Sequence, residues 1–553
     1  MSVSINTECH TNMEDDCKSE LTTRESELLP EMPEIVPPSE GYAEPNAGGA
    51  FGTLSLEKVI DAVGDSGAYQ RTIVITSMLC LFGAAFVAFS VSFLVAEPSF
   101  LCELKHQPGT WVECTEHFAC TDPTSRAVYK FSSWAEKLGL TCDKKLLRET
   151  GKSLSLMVNA LVCFLTLNLS DFVGRRTMLI TNSVILLLSL ALAFAATDFY
   201  LKMVMIGTAF GSQGAFSSLF IFLINEVSRK QLSDHPDPHS QLKSKISAFC
   251  LASFSLGIVA LNGITLWFNS ADALLAAIFV ILLFLLYPNF ICLEESPIWL
   301  IRQKKYTKAV YTFRKISEIN DRRVPSNLFH KLLTVLESNQ FQQKSESEES
   351  FKLTLKGKLK LLFFDSMYSK QLFIMCTVSS SLYCMYYGIL TSVNDIGFSS
   401  IQLNGSLVGI TQAGGFIIVL RFLTKTPRRK ALLVIQTILL LGGFSLVCLS
   451  FSERTELVQM TEGIISTLFI STTISSLFSF MYVTNAESFP TQIRGLAVGI
   501  ILLVGKLVGS CAPYVSLFSK YMKVHVLAGS SYTLFISIFA TMFLRETIHS
   551  YKK

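Results

Sequence analysis

The chain has 553 residues, 50% of them hydrophobic and 16% charged, with a formal net charge of +4. Soluble domains carry about a quarter charged residues, so this composition excludes a string of soluble domains despite the length. The small net charge also excludes the basic surface of a nucleic-acid binder. What remains is a bundle embedded in the lipid bilayer.

Residues 1–55 are acidic, polar and Pro-containing, with no apolar core. They predict a disordered cytoplasmic tail and not a cleaved signal peptide. A spanning helix needs about 20 mostly apolar residues. Twelve such runs follow, at 71–95, 152–169, 177–196, 199–224, 246–267, 272–292, 370–392, 402–422, 431–451, 458–482, 494–517 and 525–544. The predicted fold class is therefore an all-α membrane protein of twelve transmembrane helices in two six-helix halves. The halves are 56–293 and 370–546, joined by a linker at 294–369 and followed by a short tail at 547–553.

Between the first two runs, 96–151 forms a long loop that holds Cys102, Cys114, Cys120 and Cys142. Four cysteines in one exposed loop read as two disulfides, with three connectivities open. In the linker, Ala309, Val310, Phe313 and Ile316, then Leu328, Leu332, Leu333 and Val335, recur at helical spacing. They predict amphipathic helices at the membrane surface around the polar QKSESEES stretch at 343–350.

LSDFVGRRTML at 169–179 is echoed by LTKTPRRKALL at 423–433. A loop repeated halfway along a polytopic chain predicts a duplicated bundle, the architecture of secondary transporters. Arg175, Arg176, Arg229, Lys230, Lys243, Lys245, Lys425, Arg428, Arg429, Lys430 and Arg494 fall in alternate loops. By the positive-inside rule, these loops, the linker and both termini are cytoplasmic. Arg428 to Lys430 are expected to do no more than obey that rule.

Four segments resemble the organic-ion transporters of the major facilitator superfamily, the solute carrier group that carries organic cations, zwitterions and anions. They are AVGDSGAYQR (62–71), LSDFVGRR (169–176), EESPIWL (294–300) and ESFPTQIRG (487–495). The cysteine-bearing outer loop and Tyr386-Tyr387-Gly388 also fit. Ile298 departs from the family's Arg, and Thr424 stands where an Asp would echo Asp171. The outer loop is short for the family and has no glycosylation sequon. The one plausible outer sequon begins at Asn404. The resemblance implies two pseudosymmetric halves that rock around a central site.

It also implies site residues. Asp171, Arg175, Arg176, Glu226, Glu487 and Arg494 stand at cytoplasmic helix ends, placed to form a gate. Asp171 could pair with Arg494 or cap a helix, and Glu226 and Glu487 could each meet an Arg. Lys506 lies inside the eleventh run, twelve residues after Arg494 and seven before Pro513. A cation at that depth costs about 2.5–3.5 kcal/mol on insertion scales, so it faces a wet cavity or a partner. In the resembled family this position tends to be acidic in cation carriers and Arg in anion carriers, and Lys506 is the cation that stands there in this chain. Tyr383, Tyr386, Tyr387 and Phe478 complete the expected substrate site, with Gln213, Gln412, Phe216 and Phe220 as further candidates. Flat rings with phenol hydroxyls suit amphipathic organic ions.

The expected function is a facilitative or secondary-active carrier of small organic ions by alternating access, with anions favoured. A cation or zwitterion carrier, a sugar-porter-like carrier and a non-transporting receptor are the alternatives. No enzyme is expected. Gly151-Lys152-Ser153 lacks the upstream Gly of a phosphate-binding loop, and HExxH, a nucleophile elbow and paired catalytic carboxylates are missing. No cofactor or metal, a small organic ion as partner, a monomer and a plasma-membrane location complete the expectations.

Overall fold

In the computed structural model, the described residues are 56–64, 67–96, 100–103, 111–114, 132–227, 238–346, 355–391, 393, 400–423, 426–453, 455–490 and 493–546. The two expected tails lie outside them. Among the described residues, eleven helices are long and apolar enough to cross a membrane, and a shorter apolar stretch at Val526–Thr541 follows.

In the first half, α1 (Leu56–Val63) leads into α2 (Ala68–Leu94). The next spans are α3 (Lys145–Val173), α4 (Arg175–Ala195), α5 with α6 (Phe199–Gly214, Phe216–Val227), α7 (Pro238–Thr265) and α8 (Ala271–Leu286). The linker holds α9 (Pro297–Arg302), α10 (Tyr306–Ile319), α11 (Ser326–Glu346) and α12 (Leu355–Phe364), so the periodic residues there are helical as expected. Ala309, Phe313 and Ile316 are buried along α10.

The second half repeats the plan with α13 (Ser366–Thr391), α14 (Ile401–Leu423) and α15 (Arg428–Ser450). Its tenth span is α16 (Glu456–Ile464) continued through a π-helical turn at Ile465–Ile470 into α17 (Ser471–Ser488). The eleventh is α18 with α19 (Arg494–Gly509, Ala512–Tyr521), and the last is α20 with α21 (Val526–Ser531, Thr533–Thr541).

Local chemistry sets several helix starts. Asp198, Ser270 and Ser296 each accept a hydrogen bond from the backbone N–H three residues on, at 2.9, 3.3 and 3.1 Å. Each satisfies a donor that the first turn would leave unpaired. Gly174, at φ +112°, breaks the chain between α3 and α4 in a conformation that L side chains rarely adopt.

Two expectations change. The outer loop is not irregular throughout: Phe100–Glu103 (β1) and Trp111–Cys114 (β2) pair as a small antiparallel hairpin. And α3 begins at Lys145, inside the segment expected as loop. The charged turn can stay helical there because Glu149 meets Arg148 Nε at 3.3 Å and Lys152 Nζ at 2.9 Å. The side chains of Cys102, Cys114 and Cys120 lie outside the described residues.

Among the described residues the halves meet where α2 packs on α13, α7 on α14, and α3 on both α18 and α19. Small residues permit this approach. A Cβ at Gly409 on α14 would come within 2.8 Å of the Ser255 carbonyl on α7. The α3–α18 contact runs the length of the bundle. Ser153 donates to the Ser510 carbonyl at 2.7 Å near one end, and Asp171 lies beside Gly495 near the other. At the end bearing Ser153, Ser92 of α2 also donates to the Leu390 carbonyl of α13.

Candidate functional site: a central cavity and two Arg–Glu clusters

At the end of the bundle that carries the repeated Arg pairs, the echo in sequence becomes an echo in space. In the first half, Arg175 is 4% exposed. It meets Asp171 Oδ1 at 2.9 Å and Glu226 Oε1 at 3.2 Å. Glu295 accepts from the backbone N–H groups of Arg175 and Arg176 at 2.7 and 3.1 Å, neutralising the positive start of α4. In the second half, Arg428 meets Glu487 through Nη2 at 2.8 Å and Nε at 3.0 Å. Glu546 accepts from the backbone N–H groups of Arg428 and Arg429 at 2.7 and 3.2 Å.

Glu226 and Glu487 thus each meet an Arg, as expected. Asp171 pairs with Arg175, while Arg494 Nε donates to the Phe489 carbonyl at 3.2 Å. Arg176 meets Glu294 at 3.8 Å. Arg428 needs correction: it is a buried ion-pair partner and not merely a charge that obeys topology. Glu295 and Glu546 were not foreseen as helix-start acceptors. Glu295 lies 120 residues and Glu546 118 residues from the helix starts they cap, so local sequence carried no signal for either. Trp299 has a plain role, donating from Nε1 to the Asp171 carbonyl at 2.9 Å.

Midway along the bundle lies a cavity between the halves. Lys506, Tyr383, Tyr386, Tyr387 and Phe478 all line it. Their spacing explains why: Tyr383 and Tyr387 are one helical turn apart on α13, and Tyr386 sits beside them. Phe478 of α17 packs edge-on against Tyr383 and Tyr386, with ring centroids 5.4 and 5.2 Å away. Gln213 and Gln412 also line the space, whereas Phe216 and Phe220 pack on each other at 6.4 Å and are not part of its wall.

Lys506 is 4% exposed. Its Nζ donates to Asn159 Oδ1 at 3.1 Å and lies 5.9 Å from the Tyr383 ring centre. Among the described residues no carboxylate pairs with it. The missing side chain of Gly214 makes room, since a Cβ there would come within 2.5 Å of Nζ. Asn159 uses its other end too, donating from Nδ2 to the Tyr387 hydroxyl at 2.8 Å. One neutral amide from the first half therefore holds a cation and a phenol from the second. Asn159 and the cavity-lining Tyr482 were missed by sequence reasoning. A lone Asn in an apolar span was the available signal for the first.

Such a space can receive a small amphipathic molecule. Rings supply apolar area, the ammonium supplies one fixed charge, and the wall holds few other polar groups.

Asn404 is fully buried on α14 and donates from Nδ2 to the Val393 carbonyl at 2.9 Å. Its sequon is thus closed to a glycan in this structure. Thr424 lies outside the described residues.

The comparisons agree with this geometry. The family model described as Major Facilitator Superfamily matches residues 153–513. An organic cation transporter protein of Drosophila melanogaster is 23% identical over 515 residues, covering 84% of this chain and 87% of that one. Solute carrier family 22 member 13 of Homo sapiens is 23% identical over 398 residues, covering 71% and 65%. Among solved structures, the partially occluded inward-open xylose transporter XylE from E. coli superposes with a TM-score of 0.58 at 15% identity. That likeness covers 87% of this chain and 98% of XylE, and speaks for the fold alone. With the family model spanning well over half of its length and the twelve-helix plan in place, the chain belongs to the Major Facilitator Superfamily.

Proposed function

We propose that this protein carries small organic anions across a membrane by alternating access, binding them in the central cavity with Lys506 as the charge-selecting group. The observation that carries the reading is the buried ammonium of Lys506, held by an amide oxygen and a ring face, with no carboxylate paired to it among the described residues. In a low-dielectric cavity an unneutralised cation favours a carboxylate or sulfonate and opposes a cation. The Drosophila relative is named for organic cations. The charge of Lys506 argues against that substrate class here.

Tyr383, Tyr386, Tyr387 and Phe478 would grip the apolar body of the ligand. The Arg175–Glu226 and Arg428–Glu487 clusters, with Asp171, Arg176 and Arg494, would brace the gate at their end of the bundle. On the positive-inside rule that end would face the cytosol, with both termini on the same side, and the resemblance to organic-ion transporters makes the plasma membrane the expected location. The halves would then be 56–293 and 370–546, with 294–369 as the cytoplasmic linker. The loop between the first two spans would face the oxidising side, cross-linked among Cys102, Cys114, Cys120 and Cys142. That Cys142 is not a free thiol supports this.

The test is flux in liposomes holding the purified protein, with two labelled probes of matched ring and opposite charge. 3-Phenylpropionate should enter at least about tenfold faster than phenyltrimethylammonium, and Lys506→Gln should lower its entry about tenfold, the equivalent of roughly 1.4 kcal/mol. Unchanged entry in Lys506→Gln, or preference for the ammonium, would overturn the anion assignment.

A further inference from the structure

Two glutamines in the cavity wall are unsatisfied. Gln213 of α5 and Gln412 of α14 are each 2% exposed, and both line the space around Lys506. Among the described residues, neither Nε2 nor Oε1 of Gln213 has a hydrogen-bond partner, and neither does Nε2 of Gln412. Nearly all buried side-chain polar atoms have partners, so three unmet atoms in one wall call for a reason.

Two polar groups near them, Asn159 behind Lys506 and Ser475 in the wall, are spoken for. Asn159 spends both ends of its amide on Lys506 and Tyr387. Ser475 donates to the Thr472 carbonyl at 2.8 Å. Asn182 and Asn485 also lack partners, but neither lines this cavity.

Position adds to chemistry. Gln213 immediately precedes Gly214, the residue whose absent Cβ makes room for the Lys506 ammonium. Gln412 comes from the opposite half, one helical turn before the lining residue Phe416. A ligand that met Lys506 and both glutamines would touch the two halves at once, as a carrier that moves them about a shared site requires.

A primary amide offers one acceptor and two donors. Its complement is a group that offers both a donor and an acceptor, and a secondary amide, whose N–H and C=O point in opposite directions, offers them to partners on two sides. A simple aryl carboxylate would satisfy Lys506 and leave all three atoms unmet. We propose that the cavity is built for an organic anion that also carries a neutral amide, an N-acyl amino acid in chemical class. The carboxylate faces Lys506, the acyl N–H donates to Gln213 Oε1, the acyl carbonyl on the opposite side accepts from Gln412 Nε2, and the apolar side chain lies on Tyr383, Tyr386 and Phe478. The charge in this inference rests on the anion reading above; the amide does not.

Three probes separate the two. Binding to purified full-length protein in nanodiscs is measured for N-acetylphenylalanine, for 3-phenylpropionate (same ring and carboxylate, no amide) and for N-acetylphenylalanine amide (same amide, no charge). N-Acetylphenylalanine should bind at least about tenfold more tightly than 3-phenylpropionate, because a site built to hydrogen-bond a group discriminates against the analogue that lacks it. Gln213→Leu should bring those two affinities together, and Gln412→Leu should close part of the gap. Gln213→Leu removes an unmet buried amide, so the empty variant should melt no lower than the parent, which separates loss of recognition from loss of folding.

Equal binding of N-acetylphenylalanine and 3-phenylpropionate, or a difference that survives Gln213→Leu, overturns the amide assignment. If 3-phenylpropionate then still binds in a Lys506-dependent way, the anion reading stands without it. If the uncharged amide binds as well as the acid and depends on Gln213, the amide assignment stands and the anion reading fails. Binding of none of the three defeats both.

Discussion

Arg175 at one end of the bundle and Lys506 at its centre are both 4% exposed, yet opposite chemistry holds them. Arg175 meets two carboxylates, Asp171 at 2.9 Å and Glu226 at 3.2 Å. Lys506 meets one amide oxygen at 3.1 Å and the face of a tyrosine ring. The first arrangement is closed: each charge is the other's solvent, and removal of one strands the rest. The second is open, because an amide dipole steadies an ammonium without cancelling its charge. Burial therefore does not tell a structural cation from a functional one. The partner does.

The sharpest way to break this contrast is Arg175→Met. Asp171, 34% exposed, can hydrate, while Glu226, 13% exposed, keeps only Arg302 at 3.7 Å among the described residues, so the loss should be about 3 kcal/mol, the lower end of the usual cost of breaking a buried pair. Arg428→Met should cost about half of that, because Glu487 is 33% exposed and can hydrate when its partner leaves, whereas Glu226 is 13% exposed. Unfolding of both variants in one detergent reads the difference. Equal losses would mean that solvent access to the stranded carboxylate does not matter here.

Lys506→Met should move the other way. It removes a buried cation that no acid neutralises among the described residues, so the empty protein should gain about 1–3 kcal/mol while anion binding falls. The same unfolding assay checks the sign. A loss comparable with that of Arg175→Met would make Lys506 a strut of the fold, and the distinction drawn above would collapse.

Sequence made some of this visible and hid the rest, for physical reasons. Lys506 stood out because a charge deep in an apolar run is expensive anywhere but a wet cavity. The three tyrosines stood out because helical spacing places Tyr383 and Tyr387 on one face with Tyr386 beside them. The linker helices were legible from the period of Ala309, Phe313 and Ile316. Arg428 was misread because a basic loop residue has a sufficient explanation in topology alone, and its partners Glu487 and Glu546 lie 59 and 118 residues away. Asn159 was overlooked because the amide of one Asn changes the hydropathy of a span very little. Its importance appears only when α3 and α18 are brought side by side. The start of α3 was placed too late because Arg148, Glu149 and Lys152 read as loop until they are seen to pair.

Smaller effects test whether the two halves are equivalent at their shared motif. Glu295→Gln and Glu546→Gln each keep an acceptor at the start of α4 or α15 but remove its charge. Each should cost about 1 kcal/mol, the usual scale for an anion at a helix N-terminus. The two losses should match within experimental error, because both carboxylates accept from the same pair of backbone N–H groups. A larger loss at Glu295 would assign extra weight to its bond with the Ser296 N–H at 3.0 Å, which the second half does not reproduce among the described residues.

Asp171→Asn should be the mildest change. The Asp171 side chain is 34% exposed, so water screens its pair with Arg175, and Glu226 remains to balance the guanidinium. The expected loss is below about 1 kcal/mol. The double variant Asp171→Asn with Glu226→Gln should lose more than the sum of the two single changes, since Arg175 then keeps neither carboxylate. Simple additivity in that cycle would show that the Ser170 carbonyl, which accepts from Arg175 Nη1 at 2.6 Å, satisfies the guanidinium largely by itself. In that case the carboxylates would set the position of the helix ends and contribute little to stability.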